Sequence, residues 1–237
     1  MALLELKNVS FYDGFTQVIK DTSLSIEKGS VTALLGDSGG GKSTVLKLIS
    51  GIVPPSSGKV FYNDKDFSKM NEKEKMEFRK RSAFMFQNSA LWANQSLYQN
   101  LELPLKIHFP DMPLKQLQDK IQDAAKLVEF TKPLSLRPAS LSAGEQKRIA
   151  FARALICEPE ILFLDEPTES LNDTAADFFI SILKDFCSRG NTLIYVSHDN
   201  HFINTFNNDK YYFANGTIVD KILLNDAMQD EYEEYGD

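Results

Sequence analysis

The run Gly36-Asp37-Ser38-Gly39-Gly40-Gly41-Lys42-Ser43-Thr44 carries the densest chemical signal in this chain, and it directly follows the apolar stretch Val31 to Leu35. It fits the pattern G-x-x-x-x-G-K-[ST]. Glycines there let the backbone turn tightly with its N–H groups aimed inward, Lys42 reaches toward β and γ phosphates, and the Ser43 hydroxyl suits Mg²⁺. A helix starting near Lys42 adds the positive end of its dipole. The chemistry is the binding of a nucleoside triphosphate. The bland alternative is a glycine-rich turn that fits the pattern by accident, and the remaining motifs weigh against it.

Leu164-Asp165-Glu166-Pro167 follows the apolar residues Ile161, Leu162 and Phe163. Asp165 therefore stands at the carboxyl end of a central strand, where sheets of this type hold ligands. An aspartate there suits the Mg²⁺ shell. The next carboxylate, Glu166, lies within reach of a water in line with the γ phosphate and can orient or deprotonate it. A solvated acidic strand end is the competing reading, and a strongly apolar strand paired with a phosphate loop disfavours it. Leu141-Ser142-Ala143-Gly144-Glu145-Gln146 precedes a helix with Arg148 and Arg153, and Ser142 suits its N-cap. Gln87 follows one strand and His198 follows Val196-Ser197; alone, each reads as a surface or structural residue, as do His108 and His201.

The elements that must position these groups follow from periodicity. Leu4 and Leu6 alternate with Glu5 and Lys7, and Leu24 alternates with Ile26 before Glu27-Lys28-Gly29, giving two antiparallel-type strands ahead of the loop. Val45, Leu46, Leu48 and Ile49 supply a helix face that stops at Gly51. Residues 59–62 and 82–86 read as strands. Between about 88 and 141 the chain changes character: Pro104, Pro110 and Pro113 divide short helices, and Leu114, Leu117, Ile121, Ala124 and Val128 keep a helical period. This stretch reads as a helical insertion in a core formed by about 1–87 and 142–225. Beyond it come a helix from Ser142, the strand at 161–164, a helix over 173–187, the strand at 192–196, and a hairpin turning at Asn215-Gly216. Alternating strands and helices predict an α/β fold with a mainly parallel sheet, an N-terminal antiparallel layer and an inserted helical subdomain.

Composition sets outer limits. The 237 residues are 43% apolar and 25% charged, enough for one sizeable globular unit. A formal charge of −7 argues against a nucleic-acid surface built on bulk positive potential. The two cysteines, Cys157 and Cys187, lack metal-ligand spacing and read as buried hydrophobes in a reducing compartment. Glu5 and Lys7 interrupt any signal-peptide core, and no apolar run approaches the length of a membrane span. The expectation is a cytoplasmic protein.

Taken in order, the loop at 36–44, Gln87, the Ser142 segment, Asp165-Glu166 and His198 resemble the ATP-binding subunits of ABC transporters over almost the whole chain. The resemblance implies an ATPase using ATP and Mg²⁺, with residues 36–44 on the phosphates and Ser43, Gln87 and Asp165 around the metal. It implies that Glu166, Gln87 and His198 serve hydrolysis, and that Tyr12 stacks on adenine, with Phe11 as the alternative. It also implies a head-to-tail dimer, in which Ser142 and Gly144 of one copy meet the γ phosphate held by the other. Two departures stand out: Ala143 replaces a usual glycine, and Asn172 occupies the position of a usual aspartate, with Asp173 one residue beyond.

Leu91, Trp92, Leu97, Tyr98 and Leu103 form a partly apolar stretch after Gln87, where the family receives a helix of a membrane permease; Leu91, Trp92 and Tyr98 are the expected contacts. The phrases at 86–92 and 100–105 resemble ATPases of Mce-associated phospholipid trafficking, whereas Asp165-Glu166-Pro167-Thr168 is more similar to the lipoprotein-releasing and macrolide-exporting group. Both imply an ATPase on the cytoplasmic face of the inner membrane that moves lipidic cargo. The alternative is a soluble member acting as an iron–sulfur assembly factor. Residues 226–237 read as a solvated acidic tail, whose Tyr232 and Tyr235 are candidates to touch a neighbouring subunit.

Overall fold

The computed structural model describes residues 2–206 and 208–222, so the expected acidic tail lies outside the described residues. The chain opens with a long hairpin, β1 (Ala2–Asp13) and β2 (Thr16–Glu27), followed by β3 (Val31–Gly36), α1 (Lys42–Ile49), β4 (Ser57–Tyr62) and β5 (Lys65–Asp66). Then come α2 (Glu72–Arg81), β6 (Ser82–Met85), α3 (Leu97–His108), α4 (Leu114–Leu127), α5 (Ala143–Leu155) and β7 (Ile161–Asp165). The described part closes with α6 (Asp173–Ser188), β8 (Thr192–Val196), α7 (Asn200–Thr205), β9 (Asp209–Ala214) and β10 (Thr217–Ile222).

Among the described residues these strands form two sheets, an antiparallel layer in the order β2-β1-β4-β5 and a second sheet in the order β10-β9-β3-β8-β7-β6. In the second, only β9 and β10 pair antiparallel; β3, β6, β7, β8 and β9 run parallel. The expected α/β class with a mainly parallel sheet and an antiparallel layer is what forms. All five residues of β7 and of β8 are buried, as strands covered on both faces require. One core lies between the two sheets and α1; the other lies on the opposite face of the mixed sheet beneath α3, α4, α5 and α6. There the Phe151 and Phe179 rings stack with centroids 4.3 Å apart.

Two local expectations need correction, and one helix was not foreseen. Pro104 does not divide helices, because α3 runs through it to His108. Leu97, Leu101 and Leu105 of α3 are fully buried. At about 1.5–3 kcal/mol each, their burial outweighs the roughly 3 kcal/mol cost of an interior proline. Leu114 begins α4 but points to solvent, 67% exposed, whereas Leu117, Ile121 and Val128 are buried as the period requires. Helix α2 has no counterpart in the sequence reading: its ten residues bury only Phe78, and a capping box between Asn71 and Glu74 starts it. Among the described residues no helix is long and apolar enough to cross a membrane.

Candidate functional site

The glycine loop joins the end of β3 to the start of α1. Gly41 caps α1 in a left-handed conformation, φ 96°, and among the described residues no side chain makes a capping hydrogen bond to the first turn. The N–H groups of that turn remain available to an anion. The loop is held from outside by the β9–β10 hairpin. Gly36 lies opposite Phe213 in the β3–β9 ladder, and the Gly216 N–H donates to the Gly40 carbonyl at 3.2 Å. At Gly36, φ 124°, a Cβ would stand 2.0 Å from the Phe213 carbonyl oxygen, so only glycine fits that approach.

In front of the loop lies a cleft of about 600 Å³. Of the residues singled out in the sequence, Ser38, Gly39, Gly41, Lys42, Ser43, Thr44, Gln87, Glu166 and His198 line it. Lys42 is buried and its Nζ donates to the Gly36 and Asp37 carbonyls at 2.7 Å each. Burial lowers its pKa, opposed by attraction from Glu166, Asp37 and Asp165. Asp165 sits behind the lining: the Ser43 hydroxyl donates to its Oδ1 at 2.8 Å. Burial raises the Asp165 pKa against that hydrogen bond, and among the described residues no cationic group approaches its carboxylate within 4.0 Å. A buried, unneutralised carboxylate beside a hydroxyl is the hard-oxygen donor set that suits Mg²⁺.

Glu166 follows at the strand end with φ 48°, a left-handed conformation unusual for a side chain of this size. Its N–H donates to the Val196 carbonyl at 3.0 Å. The His198 N–H donates to Glu166 Oε2 at 3.2 Å, and the His198 ring Nε2 lies 3.5 Å from Oε1. Burial raises the Glu166 pKa, with the His198 amide and ring pulling it down. The Gln87 amide donates to Glu169 Oε1 at 3.3 Å.

Other expected residues lie outside the cleft. Tyr12 is 47% exposed on β1, while Phe11 is partly buried against the core. Ser142 caps α5 as its sequence context suggests, accepting from the Glu145 N–H at 3.3 Å in a capping box, which leaves its own O–H proton to donate elsewhere. Gly144 packs against the backbone of Ser170, and Ala143 is exposed. Neither Ser142 nor Gly144 lines the cleft of its own chain. Asn172 caps α6, its Oδ1 accepting from the Ala175 N–H at 2.9 Å, and Asp173 is the helix's first residue. His201 meets Asp177 at 2.7 Å, away from the cleft.

Several site residues escaped the sequence reading. Val18, Thr168, Glu169 and Asp199 also line the cleft, and Thr168 donates to Asp199 at 2.9 Å. Lys147 of α5, 3% exposed, donates from Nζ to the Glu166 carbonyl at 2.6 Å. Asn100, 1% exposed, grips Trp92 through both its main-chain N–H and carbonyl, at 2.7 and 3.2 Å. Glu169 adjoins a segment already singled out; nothing local marks Lys147 or Asn100 as buried.

Residues 19–169 match the family described as "ABC transporter". The chain belongs to that family. This ABC ATPase is 34% identical over 197 residues to the methionine import ATP-binding protein MetN of Clostridium acetobutylicum, covering 83% of this chain and 61% of that protein. It is 34% identical over 209 residues to the ATP-binding protein YtrE of Bacillus subtilis, covering 87% and 89%. A 35% match over 201 residues to the macrolide export ATP-binding/permease protein MacB of Campylobacter jejuni covers 83% of this chain and 31% of that protein. Thus the ABC ATPase spans less than two thirds of some curated relatives. Among solved structures, a dimeric ATP-binding cassette in a post-hydrolysis state with ADP and Pi superposes at TM-score 0.86 and 27% identity, covering 93% of this chain and 98% of that one. The family relationship identifies ATP as the nucleotide.

Proposed function

We propose that this ABC ATPase hydrolyses Mg·ATP as the nucleotide-binding subunit of a membrane transporter. The observation that carries the reading is the Ser43–Asp165 hydrogen bond, 2.8 Å, with Glu166 at the next position facing the phosphate cleft. Residues 36–44, through first-turn amides and Lys42, hold the β and γ phosphates, and Tyr12 offers its exposed ring to adenine. Ser43, Asp165 and Gln87 would hold Mg²⁺, which when bound neutralises charge on the phosphate oxygens. Glu166 takes the proton of the attacking water, and His198, against the same carboxylate, faces the γ phosphate.

Two copies complete the sites head to tail. Ser142 and Gly144 stand outside their own cleft, and the Ser142 O–H remains free to donate to a phosphate across an interface. The dimeric state of the similar cassette supports this arrangement. The surface around Leu91, Trp92 and Tyr98 receives the membrane subunit: Trp92 is 56% exposed on a turn that Asn100 ties down through two hydrogen bonds, an unusual degree of exposure for an indole. A peripheral position on the cytoplasmic face of the inner membrane follows. We assign the cargo as lipidic on the sequence phrases at 86–92 and 100–105.

The test is affinity purification of the chain from detergent-solubilised host membranes, with ATP hydrolysis measured on wild type and Glu166→Gln. Co-purification with an integral membrane subunit at two copies of the ATPase per complex, bound lipid, and hydrolysis lost in E166Q are expected. Hydrolysis unchanged in E166Q sinks the mechanism. Recovery with soluble proteins only sinks the transporter assignment, and a membrane complex without lipid sinks the cargo assignment.

A further inference from the structure

Helix α5 carries two cations that the proposed chemistry leaves unassigned, the buried Lys147 and the partly buried Arg153, and both donate to main-chain carbonyls of turns bordering the cleft. Lys147 reaches the Glu166 carbonyl at 2.6 Å; Arg153 donates to the carbonyls of Ser89 and Ala90, at 2.9 Å each, just after Gln87. All three acceptor residues are left-handed, with φ of 48° at Glu166, 62° at Ser89 and 43° at Ala90. Such conformations cost energy at non-glycine residues and persist only where the surroundings hold them.

Packing does not explain Lys147. It is 3% exposed, and among the described residues no carboxylate comes within ion-pair distance of its Nζ. A methionine would fill a similar volume without the cost of burying an ammonium. What the ammonium supplies is a charge-assisted hydrogen bond to the main chain of the residue that faces the cleft. Glu166 is thereby gripped on three sides: its N–H by Val196, its carboxylate by His198, and its carbonyl by Lys147.

We propose that Lys147 is a positioning residue for hydrolysis: its bond to the Glu166 carbonyl holds the left-handed turn that aims the Glu166 carboxylate into the cleft. The proposal rests on the reading of Glu166 as the base. It also makes α5 a common support, because the helix that begins at Ser142 sets the geometry of Glu166 in the same chain. A misplacement of about 1 Å at a reacting group costs up to about a hundredfold in rate.

The experiment uses the full chain in four forms: wild type, Lys147→Met, Glu166→Gln and the double variant. Single-turnover hydrolysis is measured at saturating Mg·ATP, and affinity is measured with a fluorescent ATP analogue. In K147M the rate should fall by about tenfold to a hundredfold. Its affinity should stay within about twofold of wild type, and K147M should add nothing in the E166Q background, as expected for residues acting through one group. A K147M rate within about twofold of wild type overturns the proposal. So does a rate loss matched by lost affinity, or an undiminished K147M effect in the E166Q background. E166Q hydrolysing normally refutes the base assignment and this proposal together, a result distinct from an inactive E166Q beside an unaffected K147M. If K147M does not fold, Lys147→Gln, which keeps a polar group in the buried site, takes its place in the same four-way comparison.

Discussion

Substituting alanine at Gly36 tests how the phosphate loop is fixed. The added Cβ would sit 2.0 Å from the Phe213 carbonyl oxygen and 3.0 Å from that residue's N and C atoms, at a φ of 124°. The backbone strain is about 1–3 kcal/mol. Relieving the overlap means moving β9 outward by more than an ångström, which weakens the β3–β9 ladder by at least one hydrogen bond, about 1 kcal/mol. The sum is roughly 2–4 kcal/mol, and at about 2–4 °C per kcal/mol for a chain this size the melting temperature falls by roughly 4–16 °C. Gly39→Ala is the control: φ is 79°, but nothing lies within 4 Å of the new Cβ. It carries strain alone, about 1–2 kcal/mol. Thermal unfolding followed by circular dichroism, with and without Mg·ATP, measures both. A Gly36→Ala protein melting within about 2 °C of wild type, or one less affected than Gly39→Ala, would refute the reasoning, because the close contact with Phe213 would then not constrain the loop.

Two further outcomes follow from burial. Burial raises the pKa values of Asp165 and Glu166, so the folded form binds their protons more tightly than the unfolded chain does, and ionising them costs stability at neutral pH. Glu166→Gln and Asp165→Asn should each melt above wild type at neutral pH, with the gap shrinking as pH falls through the raised folded pKa and closing toward about 3, below the unfolded values, where both states are protonated; a gap independent of pH counts against this origin. Burial also pushes the Cys157 and Cys187 thiols up to about 11. At pH 8 their thiolate fraction is roughly 200-fold below that of an ordinary cysteine, so iodoacetamide should label the folded protein slowly and the denatured protein fast. Rapid labelling of the native chain would contradict that.

What could be read from the sequence was what is local. The loop at 36–44 and the apolar strand ending at Asp165 announce themselves because each is a continuous segment whose residue types serve one geometry. The hairpin at Asn215-Gly216 is equally local. Helix α2 was illegible because it buries a single side chain and so has no apolar period. Pro104 misled because its cost is intrinsic to the residue, whereas the burial that overrides it belongs to three leucines of the same helix and becomes visible only once that helix is packed. Lys147, Arg153 and Asn100 share a different reason. Each is polar, each is wholly or partly buried, and each binds main-chain atoms brought near by the tertiary fold, for which one-dimensional spacing carries no mark.

The clasp on the phosphate loop also has a consequence in time. Gly36 and Gly40 are held by Phe213 and Gly216, from the last hairpin described, and Gly216 is bound in turn by the Lys20 N–H at 2.8 Å. A ribosome delivers the glycine loop first and its clasp some 170 residues later, so the loop waits through most of synthesis beside partners not yet made. The shape of the loop is therefore completed late, as the closing strands emerge. A nascent chain halted before residue 213 holds the whole glycine loop and still lacks the contacts that set its shape.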